Sequence, residues 1–305
     1  LNKPLPGTAG ETRLENIGKI ENKGFEISIN SLNIDKPDFT WSTALTISAN
    51  KNEVLTLGGE DFINLSAPGG SSGPSIRIIP GQPIPAFLGA TYLGTYKTPA
   101  EIDADGVVGS VLGGPRYIDE NGDGAINELD FNVVGNPNPD FVYGFNLNFK
   151  YKRFTTNFLF NGVYGNDIAN GNLIKLNNAE GLQTNISPNA YNNAWRPDAQ
   201  TNLYPRIGYE VIPNQSLAVS DRIIEDGSFL RLNNVTLSYD IPVDKIKMFE
   251  RFNIYVAGQN LVTWTSYSGY NPEVSSFLNN GLINGVDWNG APNAKTFLLG
   301  LNINF

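Results

Sequence analysis

The final segment of the sequence alternates large apolar residues with small or polar ones. Between positions 297 and 305 every odd residue is apolar, and the even residues are Leu, Gly and Asn. A repeat of two puts these sets on opposite faces of a β-strand, and a length of about ten residues suits a tilted strand that crosses a bilayer. An edge strand of a soluble sandwich alternates in the same way, so recurrence of the pattern decides between them.

The same alternation recurs in six further segments. Their apolar faces carry mainly Phe, Tyr, Leu, Ile and Val, whereas their opposite faces carry mainly Asn, Ser, Thr and Gly with few charges. A soluble sandwich would cover its exposed face with Lys and Glu, and an uncharged polar face is typical of a barrel interior. The segments are 25–30, 39–48, 140–151, 154–164, 234–241 and 252–258. The pattern therefore predicts an all-β, antiparallel transmembrane β-barrel.

Composition and charge narrow the functional classes. No apolar run approaches the roughly 20 residues of a membrane helix, which leaves a closed barrel as the way to cross lipid. The chain contains no Cys and no His, so by itself it builds no thiolate or histidine metal site and no Cys or Ser–His nucleophile. Its net charge of −9 argues against nucleic acid as a partner. Acidic pairs such as Glu225 and Asp226 lack a neighbour that would tune their pKa values, so we expect no enzymatic activity.

The lengths of the connections predict an orientation. Bacterial barrels have short periplasmic turns and long outside loops; the connections 35–38, 151–153 and 242–250 are short, and 98–139, 165–222 and 265–294 are long. If the terminal strand runs toward the periplasm, segment 38–55 runs away from the periplasm and the segment that starts at 140 runs toward it. An even number of membrane crossings must therefore separate these two segments. We assign two crossings, at 74–80 and 84–97 with a turn at 81–83, which gives about nine strands with long extracellular loops.

Nine strands are too few, and of the wrong parity, for a bacterial barrel of their own. An open array would leave unpaired edges in lipid. The sequence also starts at Leu1 without a secretory signal. We therefore interpret residues 1–305 as the C-terminal part of a longer barrel, whose signal peptide lies outside this sequence.

Five segments, in this order, resemble the SusC/RagA family of TonB-linked outer-membrane transporters. They are NIGKIENKGFEISIN (16–30), WSTALTISANKNEVLTL (41–57), GNPNPDFVYGFNLNFKYKRF (135–154), FLRLNNVTLSYDIP (229–242) and IYVAGQNLVTWTSYSGYNPE (254–273). The resemblance implies the last part of a barrel of about twenty-two strands, in the outer membrane of a Gram-negative, Bacteroidetes-like cell. It also implies a preceding plug domain that contacts TonB, surrounding outer-membrane lipid, a SusD-like surface lipoprotein as partner, and an oligosaccharide or peptide as substrate.

One long loop, 119–130, has the layout of a calcium-binding loop. Oxygen-bearing residues stand at positions 1, 3, 5, 7, 9 and 12, with Gly124 at position 6. The candidate ligands are Asp119, Asn121, Asp123, Ala125 through its carbonyl, Asn127 through water, and Asp130. Position 12 is Asp rather than the usual Glu, and no helical pattern flanks the loop. An acidic turn held by Asx hydrogen bonds is the alternative; we expect a structural Ca²⁺, and similar loops recur in the resembled family.

Aromatic, amide and guanidinium side chains crowd two other loops. Rings that stack on sugar faces, together with groups that bond hydroxyls, suit the capture of a glycan. The candidate substrate residues are Trp195, Arg196, Tyr204, Tyr270 and Trp288. Trp264 and Tyr267 follow a strand so closely that we assign them to the interfacial aromatic girdle, and the segment around Trp195 also resembles a recurrent part of the family.

Three functions remain open on the sequence alone. The first is a TonB-dependent transporter, and the second is a passive porin or adhesin barrel, which would lack a plug and a TonB motif. The third is a secreted soluble β-sandwich that binds calcium and carbohydrate, which would stay in the aqueous phase without detergent.

Overall fold

The structure of the chain, a computed structural model, describes residues 2–4, 12–14, 18–65, 75–177, 185–207, 220–243, 250–276 and 281–305. The strands are β1 (Asn2–Pro4), β2 (Thr12–Leu14), β3 (Lys19–Lys36), β4 (Phe39–Thr56), β5 (Ile63–Leu65), β6 (Ser75–Ile78), β7 (Ala86–Gly89), β8 (Tyr92–Thr95), β9 (Pro115–Tyr117), β10 (Asn132–Gly135), β11 (Phe141–Tyr151), β12 (Phe154–Tyr164), β13 (Asp167–Asn170), β14 (Ile224–Asp226), β15 (Phe229–Ile241), β16 (Arg251–Thr265), β17 (Val286–Asp287) and β18 (Thr296–Asn304). The helices are α1 (Pro99–Asp105), α2 (Asn172–Asn177) and α3 (Pro188–Asn193), with 3-10 turns at Glu128–Asp130 and Asp221–Ile223. None of the helices in these ranges has both the length and the hydropathy needed to span a membrane.

The seven long strands form one antiparallel sheet in the order β18-β16-β15-β12-β11-β4-β3. Each of these strands lies beside its nearest long neighbour in the sequence, as in an up-and-down barrel wall. Short turns join β3 to β4 and β11 to β12 at one end, which we call the short-turn end. The long connections meet at the opposite end, the long-connection end. The prediction of an all-β antiparallel barrel portion with long loops is confirmed.

The predicted number of about nine strands is not matched in the described part of the chain, where seven long strands pair in the sheet. Strand β4 pairs directly with β11, for example Trp41 with Phe149, so no crossing separates them. Zero is also an even number and satisfies the parity argument. The segments assigned as crossings hold β6, β7 and β8 of four residues each, far short of the 9–11 residues that a spanning strand needs.

The register places most large apolar residues of the seven strands on one face, whereas Leu159, paired with Asn146, lies on the other. One cross-strand row near the short-turn end joins Phe39, Tyr151, Phe154 and Tyr239. A second set of rings, Phe141, Tyr143, Tyr164 and Trp264, lies toward the long-connection end of the same face. The two sets are about ten residues apart, or about 33 Å along a strand and about 25 Å across a tilted sheet. This is the height of an apolar band between two aromatic girdles.

Within the described residues, no second layer covers the side chains of this apolar face, which are mostly exposed or half-buried. Phe297 is 79% exposed and Leu299 is 74% exposed. The opposite face carries Asn30, Asn146, Asn157 and Asn234, and the amide of Asn157 donates a hydrogen bond to the side-chain oxygen of Asn146. We call the apolar side the outward face and the amide-rich side the inward face.

Most of the buried core lies outside the sheet, among the long connections, and Val54 at the end of β4 joins one buried cluster. We call the described parts of 57–140, 165–228 and 266–295 the loop cap. The cap contains three small sheets, β10-β7-β6-β5, β14-β13-β17 and β8-β9. Its largest buried cluster joins residues from the first two of these sheets and from the segment before β17: Ile76, Phe87, Ala169, Ile283 and Val286. The loops therefore pack into an ordered body at the long-connection end of the sheet.

We predict that the two faces differ sharply in their tolerance of charge. Leu147 points outward midway along β11, and Asn148 is its inward-facing neighbour. In the complete protein, Leu147→Arg should cost about 2–4 kcal/mol because the guanidinium would enter hydrocarbon, whereas Asn148→Arg should cost about 0–1 kcal/mol. Urea unfolding in lipid vesicles measures both, and equal losses would contradict the assignment of the faces.

Candidate ligand-binding cavity in the loop cap

Three loops of the cap surround a cavity of about 660 Å³. This volume lies in the range of small-molecule sites, which are concave and combine apolar surface with a few polar groups. The lining residues are Asn170, Gly171, Asn172, Leu173, Lys175, Leu176, Asn185, Ser268, Gly269, Tyr270, Asp287, Trp288, Asn289 and Gly290. They come from the region around β13 and α2, from the loop after β16 and from the segment around β17.

Amide side chains join these loops. The Nδ2 atom of Asn170 donates to Oε2 of Glu225 at 2.8 Å, and the hydroxyl of Ser268 donates to the same carboxylate oxygen at 2.9 Å. Asn172 donates to Oδ1 of Asn170 at 3.1 Å, and its own Oδ1 accepts the backbone N–H of Asn289 at 2.8 Å. Because each amide both donates and accepts, Asn170 and Asn172 hold the cavity walls together.

A buried tyrosine and aspartate form the floor of the same region. The hydroxyl of Tyr267 donates to Oδ2 of Asp287 at 2.6 Å, and Oδ1 of Asp287 accepts the backbone N–H of Gly290 at 2.9 Å. Burial raises the pKa of Tyr267, and the hydrogen bond to Asp287 raises it further, so the hydroxyl remains a donor at neutral pH. Tyr267 is only 5% exposed, so our assignment of this residue to the interfacial girdle is wrong. Trp264 does lie on the outward face and is 50% exposed.

Two predicted substrate residues line the cavity. Trp288 is half-buried with its ring against Gly171, where a Cβ atom would overlap the indole. Tyr270 is 80% exposed at the rim. Aromatic rings, side-chain amides and one ammonium group, that of Lys175, give the cavity flat apolar surfaces beside donors and acceptors. Such a lining can hold a neutral polar chain such as a sugar or a peptide.

The other three predicted substrate residues form a second group that does not line the cavity. The backbone N–H of Trp195 donates to the carbonyl of Tyr204 at 2.9 Å, and the Trp195 ring covers Gly113. Arg196 donates to the carbonyl of Tyr191 at 3.0 Å and lies over its ring. These contacts show that Trp195, Arg196 and Tyr204 help to hold the loops of the cap together. A role in substrate binding stays a prediction for all three.

The first half of the loop 119–130 is a series of Asx turns. The two carboxylate oxygens of Asp119 accept the N–H groups of Gly122 and Gly124, each at 2.8 Å. Asn121 accepts from the N–H of Asp123 at 2.9 Å, and Asp123 accepts from that of Ala125 at 2.8 Å. Each of these oxygens accepts one backbone N–H group and keeps a second lone pair.

The second half of the loop is tied to the first half by a buried carboxylate. Asp130 is 1% exposed and accepts the N–H groups of Glu120 at 3.0 Å and Asn127 at 2.8 Å. Asn127 also donates from its Nδ2 atom to the carbonyl of Ala125 at 3.2 Å. Among the described residues, no group of three or more His, Cys, Asp or Glu side chains is placed to hold a metal ion. These bonds account for the fold of the loop, and calcium binding stays a prediction.

Sequence reasoning missed the amide framework of the cavity. Asn170 and Asn172 are about 100 residues away from Ser268 and Asp287 in the sequence, and the two pairs meet only when three loops fold together. The one local signal in the sequence is Gly171, a glycine flanked by two asparagines. Glycine is needed at this position because a Cβ atom would overlap the Trp288 ring.

The fold and the cavity define a class of protein: a portion of a transmembrane antiparallel β-barrel that carries a structured loop cap. No protein-family model matches the chain. TonB-dependent receptor P26 of Formosa agariphila is 37% identical over 316 residues, which cover 100% of this chain and 31% of the receptor. TonB-dependent receptor SusC of Bacteroides thetaiotaomicron is 30% identical over 303 residues, which cover 95% of this chain and 27% of SusC.

The structural comparison agrees with the sequence relatives. The RagAB peptide importer in its open-open state matches with a TM-score of 0.76 at 20% identity, over 100% of this chain and 31% of that chain. At this identity the likeness concerns the fold. The chain belongs to the SusC/RagA family of TonB-dependent receptors, and it spans less than a third of the length of the relatives P26 and SusC. These relatives are named as receptors and not as enzymes.

We predict that the loop 119–130 binds calcium with a Kd on the order of 10⁻⁴ M, as in extracellular modules. Calorimetric titration of the complete protein after treatment with a chelator should show this heat, and replacing both Asp119 and Asp123 with Ala should abolish it. Asp103→Ala removes an exposed carboxylate of α1 and serves as the control. If the chelated wild-type protein gives no calcium-dependent heat, the loop is held by its Asx turns alone.

Proposed function

We propose that the chain forms part of the barrel wall and the loop cap of a TonB-dependent transporter in the outer membrane of a Gram-negative bacterium. The observation that carries this proposal is the continuous outward apolar band joined to an ordered cap with a cavity. The names of the relatives, TonB-dependent receptor P26 and SusC, support it. The family resemblance implies a plug and a TonB-contacting segment, which we assign to the part of the complete protein that this chain does not cover.

The edges of the sheet support the proposal of a larger barrel. Within the described residues, β3 and β18 each pair with one neighbour in the sheet. In lipid every backbone N–H and C=O group must be paired, so we infer that further strands of the complete protein pair with these two edges. The inward amides of the seven strands would then line part of the transport path.

We propose that the cavity in the cap receives an oligosaccharide or a peptide. Trp288 and Tyr270 supply rings, and Asn170, Asn172 and Asn289 surround the same space with amide and backbone groups. RagAB, whose fold the chain shares, is named as a peptide importer. We further propose a SusD-like surface lipoprotein that covers the cap, as the family resemblance implies; exposed apolar residues such as Val108 and Leu203 give it a surface to contact.

The energy requirement of uptake separates this function from a passive porin. The ligand that copurifies with the complete protein would be identified by mass spectrometry and labelled. Cells that carry the complete protein should accumulate it against a gradient, and deletion of tonB should stop accumulation. Uptake that is unchanged in the tonB deletion would indicate a passive porin. A protein that stays in the aqueous phase without detergent would indicate a soluble sandwich.

We predict that Tyr270→Ala weakens binding of the copurified ligand about 10-fold, or about 1.4 kcal/mol, because one stacking ring is lost. Tyr270 is well exposed, so the fold should tolerate its truncation. Tyr191→Ala is the matched control, since Tyr191 is 58% exposed in the cap and does not line the cavity. Equal effects of the two changes on ligand affinity would remove the cavity from the binding site.

A further inference from the structure

A buried arginine lies between the barrel wall and the cavity. Arg231 stands near the start of β15 on the inward face, where it pairs across the sheet with Asn161 of β12 and Thr263 of β16. Its side chain is only 5% exposed. A guanidinium that leaves water must find charged and hydrogen-bonding partners, and the partners of Arg231 come from two separate parts of the chain.

One set of partners belongs to the wall. The Nε atom of Arg231 donates to the hydroxyl of Thr263 at 2.9 Å. The guanidinium also lies 5.1 Å from the centre of the Phe229 ring on the same strand. These contacts fix the orientation of the side chain. Because the guanidinium is planar and rigid, the directions of its two terminal nitrogens are then fixed as well.

The other set of partners belongs to the loop that follows β16. One terminal nitrogen of Arg231 donates to Oδ1 of Asn271 at 2.8 Å, and the other forms an ion pair with Glu273. Asn271 also accepts the backbone N–H of Glu273 at 3.2 Å, and the second carboxylate oxygen of Glu273 accepts from Asn161 on the wall. One guanidinium thus bonds a three-residue turn of the loop to the inward face.

The same loop forms one wall of the candidate binding cavity. Ser268 and Tyr270, just before the bonded turn, line the cavity. Ser276, just after it, accepts the backbone N–H of Trp288 at 2.7 Å and donates its own backbone N–H to the carbonyl of Val286 at 2.9 Å. Both aromatic rings of the cavity are therefore placed by a loop whose middle is held by Arg231.

Glu273 also faces the inside of the barrel wall. It lines a second recess of about 740 Å³, together with inward residues of β3, β4, β11 and β12 such as Ser28, Thr46 and Asn161. The loop 266–276 thus contributes to the cavity on one side and to the inward surface on the other, and the ion pair lies where the two meet.

We propose that Arg231 is a positioning residue that holds the loop 266–276 against the wall and thereby sets the shape of the cavity in the cap. Arg231 acts through Asn271 and Glu273 and is not itself part of the cavity lining. The inference rests on the proposed function only in treating the cavity as a binding site.

A distance measurement tests this proposal without any ligand. This chain contains no cysteine, so, with any cysteine elsewhere in the complete protein replaced by Ser, nitroxide labels can be attached at Tyr270→Cys in the loop and Lys36→Cys at the short-turn end. In the complete protein in lipid vesicles, pulsed EPR should give a narrow distance distribution. Arg231→Met should broaden it at least about twofold as the loop is released. Arg231→Lys, which keeps the charge but not the fork, should restore part of the narrow distribution.

Two further variants make the result decisive. Arg251→Met breaks an exposed ion pair with Asp240 at the short-turn end of the same sheet, and it should leave the distribution narrow. Asn271→Ala combined with Glu273→Ala releases the loop from its own side with the wall intact, and it should broaden the distribution as Arg231→Met does. If Arg231→Met does not fold, this double variant decides alone.

A narrow distribution in the folded Arg231→Met protein, or in the loop-side double variant, would overturn the proposal. Equal broadening with Arg251→Met would also overturn it, because the effect would then be a general loss of barrel order. If the loop moves as expected but tonB-dependent uptake is absent, the positioning role stands and the transport proposal falls.

Discussion

Hydrocarbon offers no hydrogen-bond partners, and most of this architecture follows from that constraint. The five inner long strands satisfy their backbone groups through neighbours on both sides of the sheet, and the outward residues between the two aromatic girdles are mostly apolar because they meet acyl chains. The sheet therefore needs no second layer, and residues such as Leu299 remain exposed on the chain itself. The buried clusters lie instead in the loop cap or where β4 enters it, in the part of the protein that returns to water.

Order in the cap depends on amides as much as on apolar contacts. The motif GNPNPD at 135–140 shows how this works. The backbone of Asn136 exchanges two hydrogen bonds with Asp167, both at 2.8 Å, and its side-chain oxygen accepts from the Nδ2 atom of Asn138 at 2.9 Å. The side chain of Asn138 also donates to the carbonyl of Ile84 at 2.9 Å and accepts from Asn52 at 3.2 Å. A short segment next to β11 thus joins β4, β13 and the segment before β7. The same chemistry, repeated at Asn170 and Asn172, builds the cavity.

The sequence was sufficient to predict what depends on local periodicity. A repeat of two identified all seven long strands and their outward faces, and connection lengths separated the two ends of the sheet. The strand count failed at 74–97, because parity allowed either zero or two crossings and periodicity alone cannot exclude a short strand that pairs within a loop. Tyr267 was misplaced because its distance from a strand end was known but its partner, Asp287, was not. The hydrogen bonds that build the cavity, and those that join Arg231 to Asn271 and Glu273, connect segments far apart in the sequence. No local sequence pattern shows that such segments meet.

One face of each long strand should meet lipid, and a nitroxide scan along β11 can show whether it does. Labels placed singly at positions 141–151 of the complete protein in lipid vesicles would be compared for collision with oxygen, which concentrates in hydrocarbon, and with a water-soluble nickel chelate. The ratio of oxygen collisions to chelate collisions should alternate with a period of two along the strand. Oxygen collisions should be favoured at Phe145, Leu147 and Phe149, and chelate collisions at Asn146 and Asn148. A ratio without alternation, or with the opposite phase, would contradict the contact of this face with lipid.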